Sequence, residues 1–157
     1  MTTNIQPGRR TRTKPRRGDI FVLKVVDKGL LFGRVVLNDF ALGPMPGANL
    51  VYIYRGLTQC RTPPHDQLRP NWLLLPPLFT NNLGWSRGYF QSIDSWPITS
   101  KDLLPQHCFR RWDGKNVDEG GKVLQKQVAP CGEWALVSYR RIDDLISDAL
   151  GMPRAPE

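Results

Sequence analysis

The stretch from Gly18 to Leu37, GDIFVLKVVDKGLLFGRVVL, constrains the fold more than any other part of the chain. Two apolar, β-branched runs flank Asp27-Lys28-Gly29, a short polar break ending in the residue that most easily takes positive φ, which is the pattern of a tight β-hairpin. Ile20, Phe21, Val22, Leu23, Val25 and Val26 do not alternate with polar residues, and neither do Leu30, Leu31, Phe32, Val35, Val36 and Leu37. Both faces of the strand pair therefore need cover, which a barrel wall or a sheet backed by a helix provides.

The rest of the chain reads as further strands and turns. Gly43-Pro44-Met45-Pro46-Gly47 is a loop by composition, because neither proline can join a central ladder. Leu50–Tyr54 follows as a third strand, and residues 58–70 form a long polar loop. Trp72–Leu75 is a short edge strand or an extended packing segment. A turn at Asn81–Gly84 precedes a strand at Tyr89–Ile93, Asp102 opens one helical turn, and His107–Trp112 and Glu133–Tyr139 are strands. Ile142, Leu145, Ile146, Ala149 and Leu150 recur at helical spacing, with Asp143 and Asp144 in the first turn, Gly151 after the stripe and Pro153 beyond it. The expected architecture is α+β: a mainly antiparallel, strongly curved, barrel-like sheet with a C-terminal α-helix packed on it.

Length and charge set the boundaries. A chain of 157 residues is a single domain by prior expectation. Six of its 22 basic residues and none of its 14 acids lie in residues 1–17, which leaves 16 bases against 14 acids and a nearly neutral remainder. The expected division is a basic flexible arm over 1–17, one β-rich domain over 18–151 and a short tail over 152–157. The arm's Arg9, Arg10, Arg12, Lys14, Arg16 and Arg17 could attract phosphates, although basic tails are commonly just solvated and no aromatic is present to stack on a base.

The reactive residue types give no catalytic pattern. Cys60, Cys108 and Cys131 are odd in number and show neither metal-ligand nor redox spacing, which argues for free thiols in a reducing compartment. No apolar leader precedes the hairpin, and the apolar run around Trp72–Phe79 is too short to span a bilayer. The two histidines, His65 and His107, could meet Cys108 or Cys131 in space, but nothing presents a nucleophile at an elbow or supplies an orienting third group. Asp143 and Asp144 project about a hundred degrees apart on a helix and do not face each other. Asp113, Asp118 and Glu119 lack calcium-loop spacing and read as a solvated acidic loop. Arg34, set among Phe32, Val35 and Val36, must reach solvent or a carboxylate while its stem packs on the sheet.

One ordered set of short motifs carries a resemblance. Gly18-Asp19-Ile20-Phe21, Phe32-Gly33-Arg34-Val35, Leu50-Val51-Tyr52-Ile53-Tyr54, Gly88-Tyr89-Phe90 and Asp118-Glu119-Gly120 resemble, in that order, the immunity protein 26 family, over about residues 17–150. The resemblance implies a bacterial, cytoplasmic, β-rich antidote of a polymorphic toxin system. Such a protein has no enzymatic activity and no cofactor, and it binds a cognate toxin domain, commonly a nuclease. Inhibitors of basic nucleases are often acidic, so in this near-neutral domain the expected toxin contacts are a local patch of Asp94, Asp113, Asp118 and Glu119 with Trp112 as an aromatic anchor. Two other readings compete. The Gly18-Asp19-Ile20 opening is also similar to MazF/PemK-like SH3-barrel ribonucleases, though Val35-Val36 stands after Arg34 where that family continues with proline. A nucleic-acid-binding module working through the basic arm is the third reading, with binding that weakens steeply with salt.

Overall fold

The computed structural model describes residues 2–157. Strand β1 is Ile5–Gln6, β2 is Asp19–Val25 and β3 is Gly29–Leu42. The hairpin between β2 and β3 forms as its sequence requires: Val25 lies opposite Gly29, and Asp27 and Gly29 take φ of 59° and 120°. Strand β4 runs Met45–Ile53, β5 Leu78–Thr80 and β6 Gln91–Ser95. These make one antiparallel sheet in the order β1-β2-β3-β4-β5, with β6 sharing the outer edge of β2 alongside β1. A second, three-stranded sheet holds β7 (Cys108–Arg110) between β8 (Asn116–Val117) and β9 (Cys131–Glu133), and its β7–β9 pair is parallel.

The large sheet does not close into a barrel. Its outer strands, β5 at one end and β1 with β6 at the other, do not pair with each other. The free edge of β5 is instead met by Leu136, which bridges to Phe79, and by Val137, whose N–H donates to the Phe79 carbonyl at 2.7 Å. The two-sided apolar hairpin is covered by separate layers, so curling is not needed to bury it. Phe21, Leu23, Leu31, Val35, Val51 and Ile53 face one core with Ile142 and Ile146 of the C-terminal helix, and with Trp85 and Phe90. Ile20, Val22, Phe32, Val36, Leu50, Tyr52 and Tyr54 face the other core with Leu68, Phe79, Phe109 and Val117. Alternate residues of one strand thus feed two cores, which is how an unbroken apolar run is satisfied. Gly33 has a packing role here, since a Cβ on it would overlap the Phe21 ring.

Several local expectations shift. Residues 43–47 are mostly strand: only Gly43-Pro44 turns, and Met45-Pro46 begin β4 at an exposed hairpin end where a missing N–H costs little. Trp72–Leu75 is extended packing with a single bridge from Leu73 to Tyr54. Asn81–Gly84 leads into a one-turn helix, α1 (Leu83–Ser86), and the strand placed at Tyr89 begins at Gln91. Glu133–Tyr139 keeps only its first residue in a strand. The helical stripe is right but its start is earlier: α2 is Tyr139–Ala149, capped by Ser138, whose Oγ accepts from the Arg141 N–H at 3.1 Å. Asp143 and Asp144 therefore lie in the second turn.

Asp143 is buried, and its carboxylate accepts from the backbone N–H groups of Asn4 and Ile5 at 3.1 and 2.6 Å. The expected flexible arm is thus docked near its start, where Ile5 is 1% exposed and pairs with Val25. Farther along, Pro15 is buried, while Arg9, Arg10, Arg12, Lys14, Arg16 and Arg17 are exposed. Among the described residues, no helix is long and apolar enough to cross a membrane.

Candidate functional site

Three polar constructions stand out, and all adjoin the face of the large sheet covered by the second sheet. In the first, Arg34 is 2% exposed and engages both terminal nitrogens of its guanidinium, while its buried Nε has no hydrogen-bond partner among the described residues. Its Nη1 lies 3.0 Å from Asp102 Oδ1, and its Nη2 donates to the carbonyls of Trp96 and Pro97 at 2.8 and 3.1 Å. The guanidinium also lies 5.8 Å from the Trp96 ring centroid, on whose ring His65 stacks at 3.9 Å. Asp102 sits in a 3₁₀ turn (Ser100–Asp102), where its Oδ2 accepts from the Thr99 N–H and hydroxyl at 2.8 and 2.9 Å. Burial opposes ionisation of Asp102, but the Thr99 hydrogen bonds and the Arg34 charge outweigh it and hold the carboxyl below its usual range. Arg34 therefore takes the carboxylate alternative that its position in the strand required. The knot clamps β3 to the segment after β6.

In the second construction, the Tyr52 hydroxyl meets His107 Nε2 at 2.5 Å, and His107 Nδ1 meets Glu119 Oε2 at 3.2 Å. In the neutral tautomer that carries its proton on Nδ1, the ring donates to Glu119 and its Nε2 accepts from the phenol. The Leu104 N–H donates to the same phenol oxygen at 3.1 Å. Burial pushes the Tyr52 phenol up to about 12. The series has the form of a relay, but Tyr52 is 0% exposed, so no substrate atom can reach the phenol. Its effect is to tie β4, β7 and the loop after β8 together.

The third construction is the β7–β8 hairpin. Its base is buried through the Phe109–Val117 pair, both residues at 0% exposure. The Arg111 N–H donates to the Lys115 carbonyl at 2.8 Å to close the turn, with Gly114 at φ 82°. Asp113 takes both ends of the Arg111 guanidinium, at 3.0 Å from Nε and 2.7 Å from Nη2, and accepts from the Lys115 N–H at 3.2 Å. The hydrogen bond from Arg111 chiefly holds the Asp113 carboxyl down at about 2. Trp112, on this braced tip, is 90% exposed.

The acids expected to form a patch are instead distributed among local structural roles. Asp113 serves the tip. Asp118 lies at the other end of β8, where its Oδ1 accepts from the Gly120 and Lys122 N–H groups, each at 2.9 Å. Glu119 turns toward His107. Asp94 is in the other sheet, on β6, holding the Trp96 indole N–H at 3.1 Å. Around the hairpin, Arg110, Lys115 and Lys122 are exposed and, among the described residues, make no ion pair.

Neither histidine meets a thiol: His65 stacks on Trp96, and His107 is held by Tyr52 and Glu119. Cys108 and Cys131, unrelated by spacing, lie side by side. Among the described residues, no cluster of His, Cys, Asp and Glu could hold a metal ion.

The sequence profile of the immunity protein 26 family matches residues 16–119, about two thirds of the chain. The chain belongs to the immunity protein 26 family. Of the two family resemblances, this is the one the comparison bears out. The matched residues hold Arg34, Tyr52, Asp102, His107 and the whole Trp112 hairpin, so all three constructions fall in the family's part of the chain. The match stops before β9 and before α2, whose Ile142 and Ile146 belong to the first core. No curated protein and no solved structure matches the chain.

Proposed function

We propose that this member of the immunity protein 26 family neutralises a cognate bacterial toxin domain by stoichiometric binding, without catalysis, and that the β7–β8 hairpin is its contact. The observation that carries this reading is Trp112, 90% exposed on a tip whose turn is already locked by Arg111 and Asp113. A large aromatic held in water without a neighbour gains nothing for the fold, while a pre-ordered aromatic loses little entropy on binding. Asp113, Asp118 and Glu119 act in this reading by shaping the tip and the loop beneath it. Asp94 lies on β6 of the other sheet and is not part of the hairpin.

Arg110, Lys115 and Lys122 around the hairpin favour a toxin surface that offers an apolar slot with acidic or carbonyl groups at its rim. A toxin with nuclease activity fits if that surface lies away from its own basic groove. Titrating the toxin encoded beside this protein against wild type and Trp112→Ala tests the proposal, because the indole touches no core. Loss of affinity with unchanged circular dichroism supports it, and equal affinity refutes it.

A second reading rests on a separate observation. Arg9, Arg10, Arg12 and Lys14 line a cleft of about 540 Å³ against Gln91 and Ser92, with Asp19 as its acid. A phosphate backbone would suit that lining. Because deleting residues 1–17 would also remove the buried Ile5, the test is Arg9→Ala/Arg10→Ala/Arg12→Ala. Binding of single-stranded RNA or DNA that falls steeply with salt in wild type and vanishes in the triple variant supports it.

A further inference from the structure

We infer that Cys108 and Cys131 are a site of intramolecular disulfide formation, closed by a two-electron oxidant of the peroxide class. They are directly opposite each other in the parallel β7–β9 ladder, with Phe109 opposite Gly132 and Arg110 opposite Glu133. Opposed residues project from the same face, and neighbouring strands lie about 4.8 Å apart, inside the roughly 4.4–6.8 Å that a disulfide requires between Cα atoms. The Cys108 thiol donates to the Cys131 sulfur at 3.0 Å. The backbone therefore needs no rearrangement to bring the two sulfurs together.

The surroundings leave disulfide formation as the chemistry open to the pair. Cys108 is 0% exposed and its sulfur accepts from the Val128 N–H at 3.4 Å, while Cys131 is half-buried beside Asn116. No His, Asp or Glu completes a metal set with them among the described residues. Cys60 is exposed in the long loop and is not part of the pair.

The accessible sulfur sets the order of events. The Cys131 thiol first gives its proton to solvent, the thiolate attacks one oxygen of hydrogen peroxide, the O–O bond breaks, and the departing hydroxide takes up a proton from solvent to become water, leaving the sulfenic acid. The Cys108 sulfur then attacks the sulfenic sulfur of Cys131. The S–O bond breaks, and hydroxide leaves as a second water with the Cys108 proton. Two thiols are oxidised to one disulfide, and one peroxide is reduced to two waters. Burial chiefly pushes the Cys131 thiol up to about 12. The thiolate is therefore scarce near neutrality and grows about tenfold per pH unit, so closure accelerates with pH.

The test uses the full chain carrying Cys60→Ser, which removes the exposed thiol and leaves the pair intact. The protein is treated with hydrogen peroxide at about pH 7 and about pH 9, alkylated, and digested without reductant. The expected result is loss of two hydrogens from the intact mass and a linked peptide pair containing Cys108 and Cys131, formed faster at the higher pH. The oxidised form should also melt about 5–10 °C above the reduced one. Adding Cys131→Ser should abolish the mass loss and leave Cys108 unmodified. Alkylation of both cysteines after treatment, separate oxidation to sulfinic acids, or cross-linking between chains would overturn the inference.

Discussion

Arg34 and Asp102 pair at 3.0 Å with side-chain exposures of 2% and 10%, so a charge placed in the middle of a β-strand is neutralised by a residue far along the chain. Removing one member strands the other. Asp102→Asn is expected to destabilise the fold by about 3–5 kcal/mol, whereas replacing both by Met and Leu costs less than the single change. Denaturant melts of the three proteins check this. A single variant as stable as wild type would contradict it.

The same carboxylate predicts a pH response. The folded pKa of Asp102 is depressed, so its contribution is complete above the unfolded value of about 3.9 and is lost as pH falls through the lower folded value. Wild type should lose stability in that acid window more steeply than the Met/Leu double variant. Parallel acid titrations of the two would expose the difference.

Asp143 anchors the start of the chain. Its two hydrogen bonds to the Asn4 and Ile5 amides lie in a buried setting, where bonds to a charged acceptor contribute about 1.5–3 kcal/mol each. Asp143→Ala should free these amides to exchange with solvent while the β2–β3 amides stay protected. Amide hydrogen exchange reads both sets at once.

Asp113 should stay ionised unusually far into acid. With its carboxyl held at about 2 by Arg111, the brace on the Trp112 turn persists well below the ordinary titration range near 3.9. A carboxyl-carbon NMR titration should place Asp113 well below the usual aspartate value of about 3.9. The shift should vanish in Arg111→Ala.

Much of the fold was legible because it rests on local patterns. The Gly18–Leu37 hairpin, its two covered faces and the stripe Ile142–Leu150 each follow from period and turn chemistry. Closure was not legible, since an apolar two-sided strand is equally satisfied by curling or by two covering layers, and the layer built by β7–β9 comes from short segments with little periodicity. The partners of Arg34, Asp143 and Cys108 lie respectively at residue 102, at residues 4 and 5, and at residue 131. Pairings at such separation leave no trace in spacing. Nor does a count of charges show the local work of the acids: Asp113 and Asp118 accept from backbone N–H groups of their own turns, as Asp readily does, while Glu119 meets His107 and Asp94 holds the Trp96 indole.

In the proposed complex the braced tip, through Trp112, holds the toxin. Calorimetric titration of the neighbour-encoded toxin against wild type, Trp112→Ala and Asp113→Ala measures it directly. Removing the indole should weaken binding by about thirtyfold or more, with a smaller loss when only the brace is removed. Unchanged affinity in Trp112→Ala, with the toxin still neutralised, would rule out binding through this tip.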